Sequence, residues 1–393
     1  MSLKQAECIS ITTDGWTSRA TQSYVTITAH AITSEWEIKT FVLQTRVLFE
    51  SHTGHNIGEV LKSAVSEWEL DMIYNNHKGI AVVTDNARNM GVAVKEAGLS
   101  PHLKCFAHTL NLASQAGFKV NHVSHLLGRV RRVAAFFHSS STATAVLTSK
   151  QQMLNLSVHK LIMDVVTRWN SSLDMIKRYL EQQQAIAAVL LISEVRSNAR
   201  EINTLDAADI ADAEDIVKLL TSLKKSTTVP CDKSRPTISL IMPLKHMIQV
   251  SMAPCDVDSN TISQMKAAIL NDLADHYQGE QAEFLYENSA LDPRFRALPH
   301  LNNSKRDEIF NRLKLKETQM QNQNPSEEEG AAPGSHEHVA GHSKTDLPQK
   351  AHAVGGVSPP SKKTALEDLL GDSFSQGEHS TLLRLMQTLT CTA

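Results

Sequence analysis

Hydrophobic and polar positions alternate with a period of two through the first fifty residues and then shift to a period near 3.6. Cys8–Thr13 is a β-branched run that stops at the turn pair Asp14-Gly15. Val25, Ile27, Ala29 and Ala31 share one face of the stretch Tyr24–Ile32. Phe41, Leu43, Val47 and Phe49 do the same within Ile38–Phe49. Three successive runs of this kind predict an antiparallel meander. Ile57, Val60, Leu61, Ala64, Val65 and Trp68 then fall at helical spacing, with Asn56 as N-cap and Glu59 as its reciprocal carboxylate. The continuous apolar run Ile80–Thr84, ending at Asp85, reads as a strand buried on both faces. Asn89 caps a helix through Val94, a short strand occupies Leu103–His108, and a helix follows near Leu110–Phe118. The predicted order is three strands, helix, strand, helix, strand.

From residue 120 to 320 the period stays helical. Leu173, Ile176, Leu180, Ile186 and Leu190 keep it, as do Ile210, Ala213, Val217, Leu220 and Leu223. Ile262, Met265, Ile269, Leu273 and Tyr277 continue it behind a capping box of Thr261 and Gln264. Between Pro325 and Lys363, 10 of 39 residues are Gly or Pro, and large apolar side chains are nearly absent. Such a segment cannot bury enough surface to offset its ordering entropy, which predicts a flexible linker. Its histidines His336, His338, His342 and His352 have neither fixed spacing nor a cysteine partner. Leu366–Leu370 and Leu382–Leu389 are short amphipathic stretches beyond it. The expected division is an α/β part over 1–120, an all-helical part over 121–320, and a disordered tail over 321–393.

Composition narrows the function classes. The chain has 393 residues, 41% of them hydrophobic, which is enough for packed cores and excludes disorder throughout. No apolar stretch approaches the ~18–20 residues that span a bilayer, and no signal-peptide segment opens the chain. A soluble protein of the reducing interior is expected, without a membrane partner. Five scattered cysteines, Cys8, Cys105, Cys231, Cys255 and Cys391, do not form a disulfide framework. The net charge of −3 means that any DNA affinity must come from a local basic patch, because phosphate neutralisation dominates duplex binding. Arg129, Arg131 and Arg132, within one helix turn, are the best such patch.

Asp14 and Asp85 are the residues most suggestive of chemistry. Each directly follows an apolar strand, and ligand sites in α/β sheets gather where strands end. On neighbouring strands the two carboxylates would converge and could share Mg²⁺; on separate ones they only start turns. Cys105 and His108 supply two ligands where tetrahedral zinc wants four, so a structural pair is expected and no tightly bound metal.

The motifs add a resemblance. Thr13-Asp14-Gly15-Trp16-Thr17-Ser18 resembles the first-aspartate block of hAT-superfamily transposases, and Val83–Met90 the second-aspartate block. Cys105–Leu112 is similar to their Cys-x-x-His block, Thr167–Ser172 to their Arg-Trp block, and Leu291–Phe295 to a late helical block. The strongest likeness is to BED-type zinc-finger domain-containing proteins, host relatives of these transposases, and extends to Ala365–Asp372. It implies an RNase H-like mixed sheet interrupted by an all-helical insertion, in a nuclear protein whose full-length relatives bind DNA and regulate transcription as dimers. Asp14 and Asp85 become remnant acids of a DDE-type site. Arg168 and Trp169 become DNA-contact candidates, with Trp169 either a stacking platform for a displaced base or an anchor between helix and sheet. Three of the family's features have no counterpart here: the BED finger, the third acid in its Ser-x-x-Arg-x-Phe-Ser setting (Glu378 does not match), and the C-terminal dimerisation region. The expected function is therefore transposase-derived and non-catalytic, without a cofactor and with weak DNA binding. The alternatives are an active DDE-type transposase using Mg²⁺, and an interaction scaffold without DNA contact.

Overall fold

Val25, Ile27, Ala29 and Ala31 are each at most 2% exposed, so the alternation of this run is the alternation of a pleat. The molecule is seen here in a computed structural model that describes residues 3, 6, 8–33, 35, 37–70, 79–196, 202–228 and 237–323. The expected linker and the tail from residue 324, with His336, His338, His342, His352, Glu378 and the leucine stretches, lie outside the described residues, as do Cys231 and Cys391, while residues 321–323, expected to open the tail, are helical.

β1 (Ile9–Thr17), β2 (Ser23–Ile32) and β3 (Ile38–Leu48) form the antiparallel meander. β4 (Ala81–Thr84) pairs parallel with β1, and β5 (His102–Lys104) parallel with β4. The result is one mixed sheet in the order β3-β2-β1-β4-β5. α1 (Gly54–Glu67) and α2 (Arg88–Glu96) cover one face, where Ile57, Leu61, Met90 and Ala93 share a core with Ile11, Val25 and Ile27. Behind β5, α3 (Phe106–Phe118) belongs to a second, larger core that runs from Leu103 to Phe295.

Several boundaries differ from expectation. β1 does not stop at Asp14 but continues to Thr17, because Asp14 to Thr17 pair with Thr26 to Ser23. In β3 the register skips Leu43 between the pairs Thr28–Val42 and Ile27–Gln44, a bulge that reverses the faces. Val47 and Phe49 therefore do not share the side of Phe41 and Leu43, and Phe49 is 88% exposed. Arg46 turns inward instead and bonds Ser63 and Glu67 of α1. The α1 cap is Thr53, whose hydroxyl accepts from the Asn56 backbone N–H, rather than Asn56 itself. Asn89 lies inside α2 and bonds the His52 carbonyl. The expected strand Leu103–His108 splits, since α3 begins at Phe106.

The helical part comprises α4 (Asn121–Ser139), α5 (Ser141–Met153), α6 (Trp169–Leu190), a single turn α7 (Ser193–Arg196) and α8 (Ala207–Thr228). It continues through α9 (Ile241–Ser251), α10 (Asn260–Ala274), α11 (Glu280–Leu291) and α12 (Asn303–Gln323). Gly117 lets α3 lie close to α10: an added Cβ would come within 2.9 Å of Ile269. Ser259, not Thr261, caps α10, while Thr261 bonds Asp212 of α8. Residues 156–165 are not helical. Their carbonyls are met by side chains instead: Gln182 donates to Ser157, Gln151 to His159, Arg178 to Lys160, and His138 bonds Leu161. Among the described residues no helix is long and apolar enough to cross a membrane.

Candidate functional site

The parallel pairing of β1 and β4 brings the two acids to one edge. Thr12 pairs with Val83, and Asp14 and Asp85 each lie two residues further along their own chains. Asp14 is exposed within β1, and Asp85 is half-buried just past β4, where its Oδ1 accepts the Ala87 backbone N–H at 3.0 Å. Sequence spacing made this convergence conditional on the strands being neighbours. They are.

His108 joins the same edge from the first turn of α3. Its hydrogen bond with Cys105 raises its pKa, burial opposes, and the charges of Cys105, Asp85 and Asp14 add to the rise. Burial pushes the Cys105 thiol up, but the bond to His108 and its positive charge outweigh that and hold it below the usual cysteine value. The pair stands where β5 hands over to α3, with the Cys105 N–H donating to the Thr84 carbonyl at 2.7 Å. His102 is turned elsewhere, its Nε2 on the Thr84 hydroxyl at 2.9 Å, while His122 faces Asp209 and Asp212. Among the described residues no group of three or more His, Cys, Asp or Glu comes together as a metal site.

Trp16 is a neighbour that sequence reasoning left unused, although it stood in the quoted motif. It lies two residues beyond Asp14 on the same face of β1, 46% exposed, with Tyr24 stacked on it at 4.4 Å and 13°. The period-two pattern already placed it beside Asp14; its exposure came only with the fold.

The remaining candidates are mostly committed inside the protein. Trp169 is 2% exposed in the helical core, its backbone N–H on Asn111 of α3, so it offers no open indole face in this arrangement. Arg129 is bound to Asp209 and the Thr204 carbonyl, and Arg131 pairs with Asp164 through two nitrogens. Arg129 and Arg131 therefore do not form a free basic patch, because acids of α8 and of the segment before α6 neutralise them. Arg132 and Arg168 remain exposed. The late motif is a buried latch. Ser239 donates to Asp292 at 2.6 Å, and Arg294 grips the same carboxylate with two nitrogens.

One further contact joins the sheet to the helices beneath this edge. Tyr277, in the turn after α10, donates to the Lys104 carbonyl at 2.8 Å and meets the Thr109 hydroxyl at 3.1 Å. Asn86, next to Asp85, donates to that same hydroxyl.

Two family descriptions match the chain: the ZBED1 RNase-like domain over residues 12–110 and the ZBED1 RNase-like helical domain over residues 103–219. Together they cover the acidic edge and the segment that carries Trp169. Among similar proteins, Zinc finger BED domain-containing protein 4 of Homo sapiens is 26% identical over 310 residues, 75% of this chain and 25% of its own length. A Zea mays protein named as an AC transposase is 26% identical over 192 residues, 45% of this chain and 23% of its own. The chain belongs to the hAT-type transposase-like family. A third member, named as the transcriptional regulator tpeD of Talaromyces stipitatus, is 26% identical over 216 residues, 45% of this chain and 24% of its own. The chain spans about a quarter of the length of each of these relatives. The five-stranded mixed sheet agrees with the RNase-like name of the first family description.

Proposed function

We propose that this chain is part of a nuclear, transposase-derived regulator of the DNA-binding kind, in which the acidic edge is kept as structure and no longer joins or cuts DNA. In this reading the sheet is RNase H-like and the helices from residue 121 onward are its insertion. The observation that carries it is the internal commitment of three of the five groups expected to contact DNA, Arg132 and Arg168 staying exposed. Trp169 is packed in the core, Arg129 and Arg131 are paired with acids, and Asp14 and Asp85 have one imidazole beside them. Two-metal phosphoryl transfer needs ions clamped on both the attacking and the leaving oxygen, and a misplacement of ~1 Å costs ~10²-fold in rate. Two carboxylates can hold Mg²⁺ loosely, since several of its ligands can remain water. The regulator named among the relatives supports the nuclear, regulatory half of the reading.

A specific observation favours the second reading, an active DDE-type transposase: both acids act on one imidazole, as residues of a working site would. One experiment separates the two. Purified protein is incubated with supercoiled and hairpin-end DNA in Mn²⁺, and no strand breakage is expected. Cleavage that disappears in both Asp14→Ala and Asp85→Ala would overturn the non-catalytic reading.

A further inference from the structure

Between α5 and α6 the chain crosses the helical part with neither helix nor strand, yet it is held in place. Gln182, Gln151 and His138 donate to the carbonyls of Ser157, His159 and Leu161 at 3.1, 2.8 and 2.8 Å. Binding at every second residue is the period of an extended chain. Arg178 holds a fourth carbonyl, that of Lys160, at 2.7 Å. The donors of the same stretch are unused: among the described residues, no N–H from 157 to 164 has a hydrogen-bond partner. A row of backbone groups left to solvent is a template for pairing with another chain.

Apolar side chains share this surface. Val158, Met163, Val165 and Val166 are between 43% and 61% exposed. Gln115 of α3 donates to the Val166 carbonyl at 2.7 Å, which sets the exposed Leu112, one turn back on that helix, beside the end of the run. Exposed apolar side chains gathered in this way mark an interaction site. The local charge is opposite in sign to that of the chain, which carries −3 overall. From residue 150 to 168, Lys150, Lys160 and Arg168 face one acid, Asp164, and its carboxylate is taken by Arg131 and Ser172.

We propose that residues 157–166 are a docking strip for an extended peptide of another protein, one in which apolar and acidic residues alternate. The peptide adds as a strand, its carbonyls on the unused N–H groups and its apolar side chains against the valines and Met163. Its carboxylates meet Lys160 and Arg168, both exposed. A nucleic acid fits this strip less well. Phosphates would find the cations, but residues 150–168 contain no Phe, Tyr or Trp on which a base could stack. The strip is independent of the reading of the acidic edge.

The test uses the full chain and a fluorescein-labelled ten-residue peptide that alternates valine and glutamate. Anisotropy should show saturable binding, and a counterpart with lysine in place of each glutamate should bind at least ~10-fold more weakly. Val158→Asp, Val166→Asp and Lys160→Glu should each weaken binding of the glutamate peptide ~10-fold. All three side chains are exposed, so the melting temperature should stay unchanged. Amide hydrogen exchange supplies a second readout: residues 157–164 should exchange fast in the free chain and slow on saturation with the peptide. No binding, equal binding of the two peptides, or variants that bind as tightly as the parent overturn the proposal. So do amides already slow in the free chain, which would mean that its own residues cover the strip, and displacement of the peptide by a single-stranded oligonucleotide.

Discussion

Asp292 shows how a single residue in a recognisable motif turns out to be structural. Burial pushes its carboxyl up, yet the bonds from Arg294 and Ser239 outweigh that and hold it below the usual aspartate value. Asp292→Ala would leave Arg294 and Ser239 without their shared acceptor, and a loss of about 3 kcal/mol is expected, read as a lower urea midpoint. His300 sets a different pH window. Its folded pKa of about 4 lies below the unfolded value of 6.5, so on acidification the unfolded chain takes up the proton first. The stability linked to His300 is therefore complete above pH ~6.5 and falls as pH drops towards ~4. After discounting for solvent, about 1–2 kcal/mol should disappear across that window. His300→Asn should flatten this part of the stability–pH curve, measured by urea denaturation at a series of pH values. At the acidic edge, the individual residues Asp14, Asp85, Cys105 and His108 were all legible in the sequence, because each belongs to a local word. The partners of Arg129 and Arg131 were not, since Asp209 lies 80 residues away and Asp164 lies 33 away.

At the scale of elements, period and spacing located every strand and six of the twelve helices among the described residues, while their ends followed chemistry that periodicity does not carry. The α1 cap was expected one turn too late, because Asn56 and Thr53 are both good capping residues and only the backbone geometry chooses between them. Thr53→Ala should cost about 1 kcal/mol, whereas Glu59→Ala should change little; chemical denaturation of the two variants checks the assignment. The bulge at Leu43 defeated strict alternation, because inserting one residue moves every later side chain to the opposite face. The run 156–165 escaped the helical pattern for another reason. Buried Gln151 and Gln182, bonded to each other, hold its carbonyls from neighbouring helices.

At the scale of the molecule, side chains of the helical part reach the sheet through Tyr277 on the Lys104 carbonyl and Gln281 on the His102 carbonyl. Tyr277 is 3% exposed and bonds both Lys104 and Thr109, so Tyr277→Phe should cost about 1–2 kcal/mol by leaving the Lys104 carbonyl without its donor. A Thr109→Ala/Tyr277→Phe cycle should show the two changes to be non-additive. β3 is an edge strand with Val42 65% exposed and Phe49, just past its end, 88% exposed, a surface that invites association. Val42→Lys with Phe49→Lys should remove concentration dependence from sedimentation velocity; if the parent chain already sediments as a concentration-independent monomer, this account of the edge is wrong. Net charge −3 with its central arginines already paired should leave binding to random duplex weaker than ~10 µM at physiological salt, measurable by fluorescence anisotropy.

The order of elements, the apolar faces of β2 and the long helices, the two motif acids Asp14 and Asp85 and the family likeness were all determined by the sequence itself. These depend on neighbours within a few residues, where steric preference and hydrophobic period act directly. Tertiary structure alone decided that β1 and β4 are adjacent and parallel, which turns two separate aspartates into one edge. It alone buried Trp169, paired Arg129 with Asp209 and Arg131 with Asp164, and left Trp16 open beside Asp14. It also brought His246 to His300 across 54 positions of chain. Burial and charge pairing are properties of the packed interior, set by which distant surfaces exclude water from each other, and no local pattern encodes that.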